Sequence, residues 1–161
     1  MFLSPPSGMA LRLIAALGGL PDLPPLLAAG LWSTGFPAPF RWRLPGLYLA
    51  ALLLGGLMKM SDAGIPGPDA GAALATLILG SATCLGLAAP SWAAYATVAV
   101  LGGLHGLCLA RNLAADLPHI LAAGGLGLGM ARPRIPGGLT RGLGGLIALA
   151  GLAAFIAATR R

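Results

Sequence analysis

Charge is what this sequence has least of. Only 9% of its residues are Asp, Glu, Lys or Arg, against about 25% in an ordinary soluble domain, so a water-facing surface cannot be assembled from this supply. The stretch 70–110 contains none at all, and at about 20 residues per helical crossing it has room for two spans. Ala89-Pro90-Ser91 supplies the turn between them. Cysteine is scarce too. Cys84 and Cys108 both sit in apolar runs without a CxxC spacing, which reads as small buried side chains rather than a redox or zinc motif. HExxH, paired histidines and phosphate-binding loops are missing. The expectation is therefore no enzyme.

What is present is Gly, Ala and Leu, punctuated by Pro. Hydrophobic residues make up 57% of the chain. They predict an all-α polytopic transmembrane helix bundle of about six spans, forming one domain over residues 1–161. The apolar segments are 9–32, 44–58, 70–88, 91–110, 117–130 and 142–158. Pro21, Pro24 and Pro25, with Asp22 among them, interrupt the first. Each proline removes a backbone donor, so this span is expected to be broken or partly re-entrant. Its beginning faintly resembles a signal peptide, but Pro5-Pro6 precede Arg12 and the apolar run continues to Pro21. The expectation is a retained segment.

The net charge of +6 is carried at the ends of apolar runs. Arg41, Trp42, Arg43, Lys59, Arg141, Arg160 and Arg161 are placed as anchors at the membrane interface. The partner implied is a lipid bilayer, not nucleic acid. With six spans, one side holds Arg12, Lys59, Arg111, Arg160 and Arg161, the other Arg41, Arg43, Arg132, Arg134 and Arg141. That even split sets no orientation. Within the spans, Gly102 and Gly106, Gly125 and Gly129, and Gly144 and Ala148 repeat a small residue one helical turn apart, with Gly151 extending the last pair. Such pairs form shallow grooves for close helix packing. The face of the last span is expected to meet another integral membrane protein.

Polar groups within spans are few. His105 and Cys108 end the fourth apolar segment, Asp69 opens the third, and Arg111, Met58 and Met60 fall on the same side, with Asp116 and His119 following. Imidazole, thiolate and thioether suit nickel, copper or zinc. The plainer alternative has His105 donating to a carbonyl on a neighbouring helix and Asp69 capping its own. Haem or pigment ligation by His105 is disfavoured, because membrane cytochromes use paired histidines. No cofactor is expected.

The order of segments resembles the HupE/UreJ family, small polytopic proteins regarded as nickel or cobalt permeases, from about Ala15 to Ala157. Leu17, Gly19, Leu20, Leu23, Ala28, Gly30, Leu31 and Trp32 keep step with the family's opening motif. Pro66-Gly67-Pro68-Asp69 looks like its Pro-x-x-Glu, and His105-Gly106-Leu107-Cys108-Leu109-Ala110-Arg111-Asn112 like its His-Gly-x-Ala-His-Gly-x-Glu. Arg141 to Leu152 resembles the closing elements. Several family ligand positions differ: the first His falls on Ala15, the Asp-His pair on Pro21 and Asp22, the Met on Leu26, and the second motif's later His and Glu on Leu109 and Asn112. The resemblance implies a membrane bundle, in the inner membrane of a bacterium. With most ligands replaced, it suggests a structural or accessory subunit packed against a larger, possibly redox or energy-transducing, complex. The alternative is a divergent nickel or cobalt permease using Asp22, Asp69 and His105.

Overall fold

The computed structural model describes residues 23–61, 70–108, 113–131 and 135–160, with 113–116 by backbone alone. These residues form helices and no strands: α1 (Leu23–Ser33), α2 (Ala38–Met60), α3 (Gly71–Leu85), α4 (Ser91–Cys108), α5 (Leu113–Met130) and α6 (Gly137–Thr159).

Helix ends follow the prolines and glycine. Pro24 and Pro25 occupy the first turn of α1, where a missing N–H loses no intrahelical bond. Its last turn closes with Ser33 and Thr34, whose hydroxyls donate to the carbonyls of Gly30 (2.6 Å) and Leu31 (2.7 Å). Pro37, Pro90 and Pro136 immediately precede α2, α4 and α6. α3 stops at Gly86, whose φ of 62° is left-handed. The Leu87 N–H then reaches back to the Ala82 carbonyl at 3.0 Å, which satisfies a carbonyl that the helix itself leaves open.

Three helices begin earlier than the sequence reading placed them, α5 among them at Leu113 rather than Leu117. α2 begins at Ala38 rather than Leu44 and carries Pro45 inside it. Arg41, Trp42 and Arg43 are therefore helical residues, not a flanking loop. Pro45, the eighth residue of the helix, has no N–H to give the Arg41 carbonyl, and Arg41 Nε ties the segment ahead by donating to the Phe36 carbonyl at 2.8 Å. α6 likewise starts at Gly137, so Arg141 stands in its second turn. Residues 1–22, including Asp22 and most of the first apolar segment, lie outside the described residues. The helix that follows is 11 residues long, about 16 Å at 1.5 Å per residue, half the ~30 Å hydrocarbon thickness.

α2 packs broadly on α4, and α3 on α6; α1 touches α2, α3, α5 and α6. α1 is the centre: Leu26, Ala28, Ala29 and Leu31 are all buried. Its approach to α5 is backbone on backbone. A Cβ on Gly30 would run into the Gly127 carbonyl, and one on Gly127 would sit 2.6 Å from the Leu26 carbonyl oxygen.

Small residues line the closest helix contacts, and many large apolar residues face outward. Gly, Ala and Thr line the helix contacts, while Leu54, Val100, Leu121, Leu146 and Leu149 are exposed. Among the described residues α6 alone is long and apolar enough to cross a membrane by itself. α1, α3 and the stretch Leu117–Met130 are apolar but shorter.

Candidate functional site

α4 presents Gly102, His105 and Gly106 to α2, residues three and four apart on one helical face. The two glycines make the approach possible. A Cβ on Gly102 would lie 2.6 Å from the Tyr48 carbonyl oxygen, and one on Gly106 would strike the Leu52 carbonyl. From the other side, Gly55 of α2 abuts the Gly103 carbonyl. Between these contacts sits the imidazole of His105, 1% exposed, against the fully buried ring of Tyr48. The Tyr48 hydroxyl and His105 Nδ1 are 2.9 Å apart, with ring centroids at 6.1 Å.

That bond has two forms. If the hydroxyl donates to Nδ1, the neutral ring carries its proton on Nε2; if Nδ1–H donates to the hydroxyl oxygen, Nε2 holds the lone pair that could face a cation. Tyr48 thus holds Nδ1 in either tautomer and fixes the orientation of the ring, a role often taken by a residue behind a metal-binding histidine. The sequence reading gave His105 a backbone carbonyl for a partner and did not name Tyr48. The two residues are 57 apart in the chain. The one available signal was a lone phenol in a Leu/Ala/Gly run, because a buried hydroxyl needs a partner.

The other residues singled out from sequence fall in different places. Asp22 and Asp69 lie outside the described residues, as do Arg111 and Arg161. Cys108 lies on the side of α4 that meets the start of α3, where a Cβ on Gly71 would sit 2.5 Å from its Sγ, and its thiol donates to the Leu104 carbonyl at 3.1 Å. Met58, Met60 and His119 are exposed. Among the described residues no three His, Cys, Asp or Glu side chains are grouped to hold a metal.

The small-residue pairs divide as well. Gly144 meets Cys84 and Thr83, Gly151 meets Leu77, and the backbone of Ala148 lies 2.6 Å from where a Cβ on Gly80 would be. All of these contacts join α6 to α3 inside this chain. The face expected to receive another protein is occupied by α3. Gly125 and Gly129 are different again: both are exposed, and among the described residues a Cβ on either would meet nothing within 4 Å. On α5 the close approaches belong to Gly124, against Leu49, and Gly127. Of the interface residues, Trp42, Arg43, Lys59, Arg141 and Arg160 are exposed, and Arg41 is half-buried against Phe36.

The family model described as HupE / UreJ protein matches residues 6–154, which takes in every helix but the last residues of α6. The chain belongs to the HupE/UreJ family. Proteins of this family are membrane proteins, and α6 is the described helix that meets the requirement for a span unaided. No curated protein and no solved structure matches the chain.

Proposed function

We propose that this HupE/UreJ protein is a six-helix integral membrane protein of a bacterial inner membrane that conducts a divalent nickel or cobalt ion, with His105 on the path and Tyr48 orienting it. The observation that carries the reading is a buried imidazole held by a side-chain hydroxyl in the part of the α2–α4 contact where glycines bring the two backbones together. Packing alone does not require either group, and in a bilayer an ionisable side chain is retained mainly for function. The family's association with nickel and cobalt transport supports the same reading. Asp22 and Asp69 would supply oxygen donors to complete the path. The ion is cargo, and neither a resident cofactor nor a catalytic step is involved.

The placement of large residues supports the membrane part. α6 is strongly apolar, yet only 11% of its most hydrophobic window is buried. A core helix of a soluble protein has its apolar side covered, whereas exposed Leu139, Leu146, Leu149, Leu152 and Ile156 are suited to hydrocarbon. The helices shorter than a span would then cross together, with short α1 covered on several sides. The accessory-subunit reading loses its particular support, because Gly144, Ala148 and Gly151 are engaged by α3.

The test is nickel uptake in a bacterial host lacking its own nickel transporters, with protein abundance measured in the same membranes. Wild type should restore uptake, and His105→Ala should reduce it at least about tenfold, equivalent to about 1.4 kcal/mol, at unchanged abundance. Wild type without uptake, co-purifying in stoichiometric amount with another membrane protein, would instead establish the accessory role.

A further inference from the structure

One end of the bundle gathers the aromatic and basic side chains. The ends of α1 and α3 and the starts of α2, α4 and α6 meet there. Trp32 Nε1 donates to the Leu87 carbonyl at 3.1 Å, Phe40 lies 5.8 Å from Tyr95 between ring centroids, and the Arg141 guanidinium lies beside Gly86 at the end of α3. All three tryptophans of the chain, Trp32, Trp42 and Trp92, belong to this end. Trp42 is 48% and Trp92 74% exposed. Arg41, Arg43 and Arg141 stand with them, and the sequence has no aspartate or glutamate in the stretches 33–43, 85–95 and 131–141 that make up this end. By sequence, the link from α5 to α6 adds Arg132 and Arg134 and no acid, whereas the links from α2 to α3 and from α4 to α5 include Asp62, Asp69 and Arg111.

We infer that this end is a binding surface for anionic phospholipid, with Arg43 and Arg141 taking headgroup phosphate and Trp42 and Trp92 seated at headgroup depth. Guanidinium groups bind phosphate through paired N–H donors. Exposed indoles prefer the boundary between headgroups and hydrocarbon. Basic residues beside a span are drawn to an anionic leaflet. Arg41 has its Nε committed to the Phe36 carbonyl, so the other two arginines carry the contact. The carbonyl end of α3 beneath Arg141 favours a cation and so holds the guanidinium at this end of the bundle. The opposite end, with Lys59 and Arg160 described and both linking aspartates in its sequence, has the weaker attraction. The inference rests on the membrane reading but not on transport.

The experiment measures phosphatidylglycerol bound to the purified full-length protein by native mass spectrometry, with phosphatidylcholine and inorganic phosphate as comparison probes. Wild type should prefer phosphatidylglycerol. Arg43→Gln with Arg141→Gln should weaken that binding about 25-fold, or about fivefold per arginine. Lys59→Gln with Arg160→Gln, at the other end, should weaken it less than about threefold, because the attraction falls off within a Debye length. Thermal unfolding in phosphatidylcholine checks that both variants are folded. If the first is not, Arg43→Gln alone is used and should lose about fivefold. Equal losses at the two ends, or no preference over phosphatidylcholine, would overturn the assignment. Displacement of the lipid by inorganic phosphate at matched concentration would overturn it too, by showing a site for free anion. A protein that entered no bilayer of either composition would overturn the membrane reading itself.

Discussion

In the α2–α4 pair, Gly102 and Gly106 draw two backbones together around a bond between Tyr48 and His105. In the α3–α6 pair, Gly80, Gly144 and Gly151 achieve the same closeness, but the polar groups there are threonines. Thr76 donates to the Ala72 carbonyl at 2.7 Å and Thr83 to the Leu79 carbonyl at 2.8 Å, each within α3. A threonine is thus satisfied before its helix meets any partner. A buried phenol and imidazole are satisfied only once the helices that carry them have docked. The polar groups of the second pair therefore ask nothing of docking, whereas those of the first are satisfied only when the two helices meet in register.

The sharpest way to break this comparison is to spoil the closeness on each side. Gly106→Val forces a Cβ into the Leu52 carbonyl, a backbone atom that cannot swing away. The cost should be at least the ~1–3 kcal/mol of overpacking, seen as a large fall in detergent melting temperature or in folded yield. Gly144→Val meets the Cys84 backbone N–H at 2.7 Å and the Thr83 side chain at 2.8 Å. It should cost about 1–3 kcal/mol and leave no partner protein to lose on native gels. Release of a second protein by a still-folded Gly144→Val variant would show that this face serves an external contact as well.

Tyr48→Phe separates the pairs by chemistry rather than shape. It removes one interhelical hydrogen bond, worth about 0.6 kcal/mol on average and at most about 1.7 in a membrane, so thermal stability should change little. If Tyr48 orients His105 for a passing ion, nickel uptake should fall well beyond that, and a parallel small loss of both would make the bond purely structural. Gly125→Ala is the smallest change and runs in the opposite direction. A Cβ there meets nothing within 4 Å, and replacing a helical glycine stabilises by roughly 0.5–1 kcal/mol. A destabilised Gly125→Ala would mean that this face is covered in the membrane by something other than the described residues.

The helical class, the breaks between helices and the family were legible from residues alone, because each depends on local chemistry or on order along the chain. Proline and glycine stop helices wherever they fall, and Pro37, Pro90, Pro136 and Gly86 mark four of the observed boundaries. Where the reading fell short at α2 and α6, it treated Arg41, Arg43 and Arg141 as loop residues. A cation at a helix start is compatible with helix, and composition has no term for that.

Which glycines touch a neighbour was decided by the tertiary structure. Gly102–Gly106, Gly125–Gly129 and Gly144–Ala148 share one spacing, yet two pairs face helices and one faces outward. In a soluble helix the polar side would have revealed the direction. Here both sides are apolar, so periodicity points nowhere and only docking distinguishes them. The same holds for Tyr48 and His105. Their residue types show that each needs a partner, but nothing along the chain can say that a contact 57 residues distant makes each the other's. That pairing exists because α2 and α4 lie parallel in a single register, and the register is set by glycines on both helices, with no room for a Cβ.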